Sequence, residues 1–264
     1  MFYSFAGCFI FIKKLGMILK NLCLSVCLSA CFSGAWAQNA DSILSRHIEV
    51  MGGLKNWNRV KSLKITGSPN GGGVSYKQTQ IIADGRAIRT DMFFHGQDNF
   101  SVGTPEGGWN YRVSYPKGAP MKISPIPAGQ LKAVLPKLHI KRDLVLDRTS
   151  IIKSEFKGLE HINKKPCYAL KITDIDNNVE TAYFEVATGF MLREVKQSGQ
   201  DDQSAETNLD YSNFQKQPSG IVYPMTLRTV QGEFVISSLE VNVPVDDSLI
   251  NTHHGTVVPK NDNR

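Results

Sequence analysis

From Ser62 almost to its end, the chain alternates apolar and polar residues in short runs separated by turn formers, and this period of two commits it to antiparallel β-structure. In the first half the apolar phase falls on Leu63 and Ile65, on Val74 and Tyr76, on Ile88, Thr90, Met92 and Phe94, and on Trp109, Tyr111 and Val113. The separators are Pro69–Gly73, Asp84-Gly85, His95-Gly96 and Pro105–Gly108, all rich in residues that suit tight turns. The second half repeats the scheme over 167–173, 179–186, 190–197, 205–214, 221–230 and 233–243. A meander of about ten or more strands must curl towards a barrel or split into two sheets.

Two segments depart from this rhythm. Ile43, Leu44, Ile48 and Met51 recur at helical spacing, with Asp41 placed to cap the helix and Gly52-Gly53 to end it; a further turn over 54–60 carries Trp57. So short an amphipathic helix is stable only when packed, which predicts that it lies on the sheet. His47, inside its stripe, reads as a satisfied histidine at the core edge. Ser114–Asp147 holds five of the 12 prolines, which excludes central strands, and between them 128–138 reads as a helix with Leu131, Val134, Leu135 and Leu138 on one side. Spacing fits either a lid over the sheet or an ordinary crossover.

Residues 1–37 have Lys13, Lys14 and Lys20, no acid, an apolar run over 22–31, and Ala35-Trp36-Ala37. That order is a signal peptide, expected to be cut after Ala37, with Met17 as an alternative start. The run is shorter than the roughly 20 apolar residues of a membrane span. Leu28-Ser29-Ala30-Cys31 offers a competing reading, a lipid-modified Cys31 that tethers the protein to the outer membrane as an assembly module. Losing the three lysines lowers the net charge from +6 to +3, with no basic run longer than Lys164-Lys165, so nucleic-acid binding is not expected. Four of five cysteines leave as well; Cys167 sits in a strand-like alternation as a small buried apolar group.

The chain from 38 onwards contains no G-x-S-x-G, P-loop, G-x-G-x-x-G, H-E-x-x-H or C-x-x-C. Asp174–Asn178 lacks the glycine of a calcium loop and reads as a turn, and His253-His254 as a polar tail over 251–264. No catalytic residue, metal or cofactor is therefore expected. The rival reading, a hydrolase built from His95, Asp91 and Ser101, lacks any spacing that would hold those groups within about 3 Å.

In order and spacing, several stretches resemble the LolA/LolB-like family of bacterial envelope proteins. They are Met51-Gly-Gly-Leu-Lys55 running into Val60-Lys-Ser-Leu-Lys-Ile-Thr-Gly67, Gly107-Gly-Trp109, Gln130-Leu131-Lys132, Lys165-Pro-Cys-Tyr-Ala-Leu-Lys171, Tyr183-Phe-Glu-Val-Ala-Thr-Gly189, Asp210-Tyr-Ser-Asn-Phe214, Gly220-Ile-Val-Tyr-Pro224 and Val243-Pro-Val-Asp-Asp-Ser-Leu249. The resemblance covers nearly all of 38–250 and implies a single curled antiparallel sheet, an incomplete barrel of about 11 strands, with an N-terminal helix and a short lid-like helix on the concave side. It implies a monomeric, non-enzymatic periplasmic carrier of an apolar ligand, such as lipid or lipoprotein acyl chains, working with envelope lipoproteins or outer-membrane proteins. Shielding an acyl chain from water is worth about 0.8 kcal/mol per CH₂ and needs only a sheltered apolar surface. The candidate lining is Met92, Phe94, Trp109, Tyr111, Leu131, Leu135 and Leu138.

Overall fold

A computed structural model describes residues 39–70, 76–94, 97–113, 121–198 and 205–250. The proposed signal peptide, Cys31 and the 251–264 tail lie outside them. Among the described residues the strands are β1 (Ser62–Asn70), β2 (Lys77–Ala83), β3 (Ala87–Phe94), β4 (Gln97–Thr104), β5 (Gly107–Val113) and β6 (Met121–Pro125), followed by β7 (Ile151–Ile162), β8 (Lys165–Asp174), β9 (Val179–Glu185), β10 (Met191–Ser198), β11 (Ala205–Lys216), β12 (Val222–Thr229) and β13 (Gly232–Val241). All thirteen form one antiparallel sheet in the order β6-β5-β4-β3-β2-β1-β13-β12-β11-β10-β9-β8-β7. Two meanders are thus stitched together where β1 pairs with β13, with Leu63 opposite Val241 and Ile65 opposite Leu239.

The sheet is open, as expected, but exceeds the expected strand count. β6 lies within the proline-rich segment and escapes the ban on proline because it is an edge strand, whose outer N–H groups need no partner. β7, the other edge, carries Lys153, Glu155 and Lys157 and bulges at Ile151/Lys153 and Phe156/Gly158, devices that discourage edge-to-edge pairing and blur the alternation.

One face of the sheet, the inner face, carries the main core. Helix α1 (Ala40–Val50) buries Ile43, Leu44, His47 and Ile48 in it. Because α1 starts at Ala40, Asp41 is no cap: it sits in the first turn and pairs with Arg148 at 2.5 Å, where a carboxylate also suits the helix dipole. Gly52 follows with φ 103°, and a Cβ there would lie 2.4 Å from the Gly220 carbonyl oxygen. Only glycine permits both this backbone and this approach. The short helix α2 (Leu54–Trp57) then buries Trp57, whose Nε1 donates to the Met51 carbonyl at 2.8 Å.

Between the meanders, α3 (Ala128–Val134) and a 3₁₀ turn (Leu135–Leu138) lie over the inner face at β3 and β4. Gly103 and Gly108 are register partners there and leave room for Val134 and Ile126; a Cβ on Gly103 would be 2.9 Å from Val134 Cγ1. The helix therefore covers the sheet, as the lid reading expected. From Leu138 the chain continues as a strap that buries Ile140, Leu144, Val145 and Leu146. It is pinned to the β2–β3 turn by Gly85 N–H to Leu138 O (2.8 Å) and Ile140 N–H to Asp84 Oδ1 (3.0 Å), and to the β8–β9 turn by Arg142, which contacts Asp174 at 3.1 Å and Asp176 at 2.6 Å.

Candidate functional site

Antiparallel register fixes which side chains share a face, because directly paired residues point the same way. On the inner face Val241, Leu63, Ile82, Ile88, Gly103 and Gly108 form the row nearest α3. The next row is Leu239, Ile65, Gln80, Thr90, Ser101, Asn110 and Ser124, and beyond it Gln78, Met92 and Asn99 align. The face thus turns from apolar to polar with distance from the helical cover on this half. On the other half it stays apolar: Leu209, Tyr211, Leu227 and Phe234 belong to it, and Leu209, Leu227, Phe234 and Leu239 are only half-buried.

A polar cluster interrupts the apolar half. Glu180, Glu194, Lys196 and Tyr211 lie in the inner register of β9, β10 and β11. Tyr211 donates to Glu194 Oε2 at 2.7 Å, Lys196 Nζ faces Glu194 Oε1, and Lys196 lies 3.8 Å from Glu180. Glu194 is 2% exposed. Burial and the neighbouring Glu194 push the Glu180 carboxyl up to about 8. Burial and the same carboxylate raise the Tyr211 phenol, so it stays protonated and able to donate. Burial opposes the Lys196 ammonium, but Glu194, Asp143 and Glu180 outweigh it and raise its pKa. Asp143 brings the strap into this electrostatic group.

His47 ties the cover together. Its Nε2 faces the Leu144 carbonyl of the strap at 2.9 Å and its Nδ1 the Gly189 carbonyl at 3.1 Å, and its ring stands edge-on to Phe184 at 5.0 Å. Burial lowers its pKa although both carbonyls oppose the shift. A neutral imidazole donates to only one of the two.

The seven lining candidates do not make one wall. Met92 is on the inner face and 39% exposed, and Leu131 and Leu135 are half-buried on the helical cover. Leu138 is fully packed into the main core, and the Phe94 side chain lies outside the described residues. Trp109 and Tyr111 point the other way: Tyr111 pairs with Phe100, and Phe100 pairs with Asp91, not with Met92. On that outer face they belong to a second cluster with Phe100, Val102, Val245, Leu249 and Ile250. Phe100 stacks on Tyr111 at 4.3 Å, Arg89 lies 4.1 Å above the Phe100 ring, and Arg89 also donates to the Leu249 carbonyl at 3.0 Å. The split has a simple origin. Alternation within a strand was legible, but the phase between strands depends on turn lengths, and a slip of one residue reverses a face.

The same register separates the rival catalytic residues: Ser101 is inner, Asp91 is outer and paired with Arg89 at 2.8 Å, and His95 lies outside the described residues. Among the described residues, no group of three or more His, Cys, Asp and Glu is placed to hold a metal ion, and no helix is long and apolar enough to cross a membrane. Glu180, Glu194 and Lys196 were missed from sequence, although charged residues on the apolar phase of Glu180-x-Ala182-x-Phe184 were a readable signal.

The architecture is shared with solved structures. A DUF1329 family protein from Desulfovibrio piger superposes with a TM-score of 0.50 at 13% identity, covering 81% of this chain and 98% of that one. A LolA superfamily protein from Nitrosomonas europaea gives 0.49 at 12% identity, with the same 81% and 98% coverage. An outer membrane lipoprotein-sorting protein domain from Vibrio parahaemolyticus gives 0.44 at 11%, again over 81% and 98%. At 13% identity the likeness to the Desulfovibrio piger protein is one of fold. No protein-family model and no curated protein matches the sequence.

Proposed function

We propose that this chain is an exported, non-enzymatic binding protein that carries an amphiphile with an acyl or lipid-like apolar part on the inner face of its sheet. The observation that supports this reading is the set of half-buried apolar side chains Leu209, Leu227, Phe234 and Leu239, which share their face with the polar residues Gln80, Thr90, Ser101 and Asn110. Such a surface offers an acyl chain a sheltered track and a head group hydrogen-bonding partners side by side. Leu131 and Leu135 of the helical cover, together with Met92, complete the proposed contact set. Trp109 and Tyr111 are not part of it. The main core is filled by α1 and the strap, so the ligand enters by displacing part of the α3 cover, which packs through Val134 against Gly103.

Titration with pyrene-labelled palmitate tests the reading. Saturable binding is expected, and Leu227→Asn and Met92→Gln should each weaken it about tenfold, since burying one such side chain is worth about 1.5–3 kcal/mol. Thermal unfolding of the same variants separates lost binding from lost fold. Failure to bind the probe, or binding indifferent to both substitutions, would contradict the proposal.

A further inference from the structure

A cavity lies on the opposite face. It is an open-mouthed cleft of about 470 Å³, within the usual range of roughly 300–1,000 Å³ for small-molecule sites. Its lining includes Glu160, Lys171, Thr181, Tyr183, Arg193 and Asn208. Register places three of these in one row across β8 to β11 with Val195, which also lines the cavity, as Lys171, Thr181, Val195 and Asn208, and Tyr183 and Arg193 are paired in the next. A small apolar cluster of Ile162, Cys167 and Leu192, with Tyr183, Phe190 and Phe214 against it, lies beside the cavity and gives this part of the outer face a rigid support.

Two features indicate what would fit. The first is charge balance. Arg193 is held in a fork by Asp210, at 2.5 and 2.8 Å, so its remaining N–H capacity is oriented while its charge is spent. Lys171 and Glu160 offset each other in the count. The Glu180 carboxyl points to the inner face, towards Lys196, and adds no charge on this side. A lining without net charge selects neither an anion nor a cation. The second feature is Asn208 Oδ1, which is buried and has no hydrogen-bond partner among the described residues. A buried unpaired acceptor is costly in a folded protein, and a ligand N–H or O–H relieves that cost. Hydroxyl groups from Thr181 and Tyr183, an oriented guanidinium and one waiting acceptor make a mixed donor and acceptor set beside an aromatic ring.

We infer that this outer-face cavity is a second binding site, independent of the inner face, for a neutral, hydroxyl-rich ligand of the saccharide class. One or two sugar units meet its requirements: hydroxyls for Thr181, Lys171 and Arg193, an apolar ring face for Tyr183, and a donor for Asn208. The site lies across the sheet from the proposed acyl track, so the two sites can be occupied at once.

The test is an NMR titration of the purified protein with N,N′-diacetylchitobiose up to about 10 mM, tenfold above a millimolar dissociation constant. Saturable shifts of the β8–β11 backbone amides are expected, with those of β2 to β5 unmoved. Asn208→Leu should weaken binding about tenfold without lowering the unfolding temperature, because it removes a buried unpaired oxygen. Absence of shifts at the highest concentration would overturn the inference, as would an Asn208→Leu protein that folds and binds the disaccharide equally well. Binding of pyrene-labelled palmitate by the same samples is unaffected in either case, so the two proposals fail separately.

Discussion

At the scale of single residues, two buried titratable groups give the protein opposite responses to pH. His47 has its folded pKa below the ordinary value of 6.5, so the unfolded chain binds more protons as the medium turns acidic. Its stabilising contribution is complete above about pH 6.5 and is lost as the pH falls through the lowered folded value. Denaturant unfolding between about pH 7 and 5 should therefore show a fall in stability that is flatter in a His47→Gln protein. Glu180 behaves in reverse. Its folded pKa is raised from 4.5 to about 8, so its contribution is complete below 4.5 and is lost as the pH rises through 8. Glu180→Gln keeps the shape and removes the charge. It should stabilise the protein most above about pH 8, with the gain vanishing near pH 4.5; equal gains at both ends would show that burial of Glu180 has no electrostatic cost.

At the scale of elements, the cover from Ile126 to Val134 is fitted to the sheet by two missing side chains, at Gly108 and Gly103. Gly103→Val would drive a branched side chain into Val134, which a Cβ alone approaches to 2.9 Å, and overpacking of this kind costs about 1–3 kcal/mol. Faster proteolysis between 128 and 138 in this variant, with the other elements intact, is the expected reading. The outer face has a counterpart in the C-terminal arm, where α4 (Asp247–Ile250) is held by Arg86 to Asp247 at 2.6 Å and by Arg89 to the Leu249 carbonyl. Arg89→Met should release the arm and expose Phe100 and Tyr111, which a rise in binding of an apolar dye would report. These elements also show what the sequence discloses. The N-terminal helix, the cover helix and most central strands were legible because each buries one face and so carries a period of 3.6 or 2. β7 was not, because an edge strand facing solvent is free to carry Lys153, Glu155 and Lys157 where a central strand would alternate. The face that each lining candidate takes was not legible, since Met92 and Trp109 look equivalent within their own strands and are separated solely by register.

At the scale of the whole molecule, the consequence of stitching two meanders at β1–β13 is a sheet with two unlike faces and, among the described residues, β6 and β7 at its edges. The inner face is closed by α1 and the strap at one end and left mixed, apolar beside polar, at the other. The strap links the β2–β3 turn to the β8–β9 turn through Leu138, Ile140 and Arg142, so movement of the cover is coupled to both halves. Arg142→Ala should loosen that link and speed amide exchange in β8 and β9 more than in β1 and β13. The central claim, an acyl track on the inner face, is tested most directly by photolabelling with a diazirine-bearing fatty acid and mapping the modified residues. Labels on Leu209, Leu227, Phe234, Leu239 and the 128–138 cover are predicted. Labels confined to the Phe100, Tyr111 and Trp109 face, or no labelling above that of an unfolded control, would contradict it.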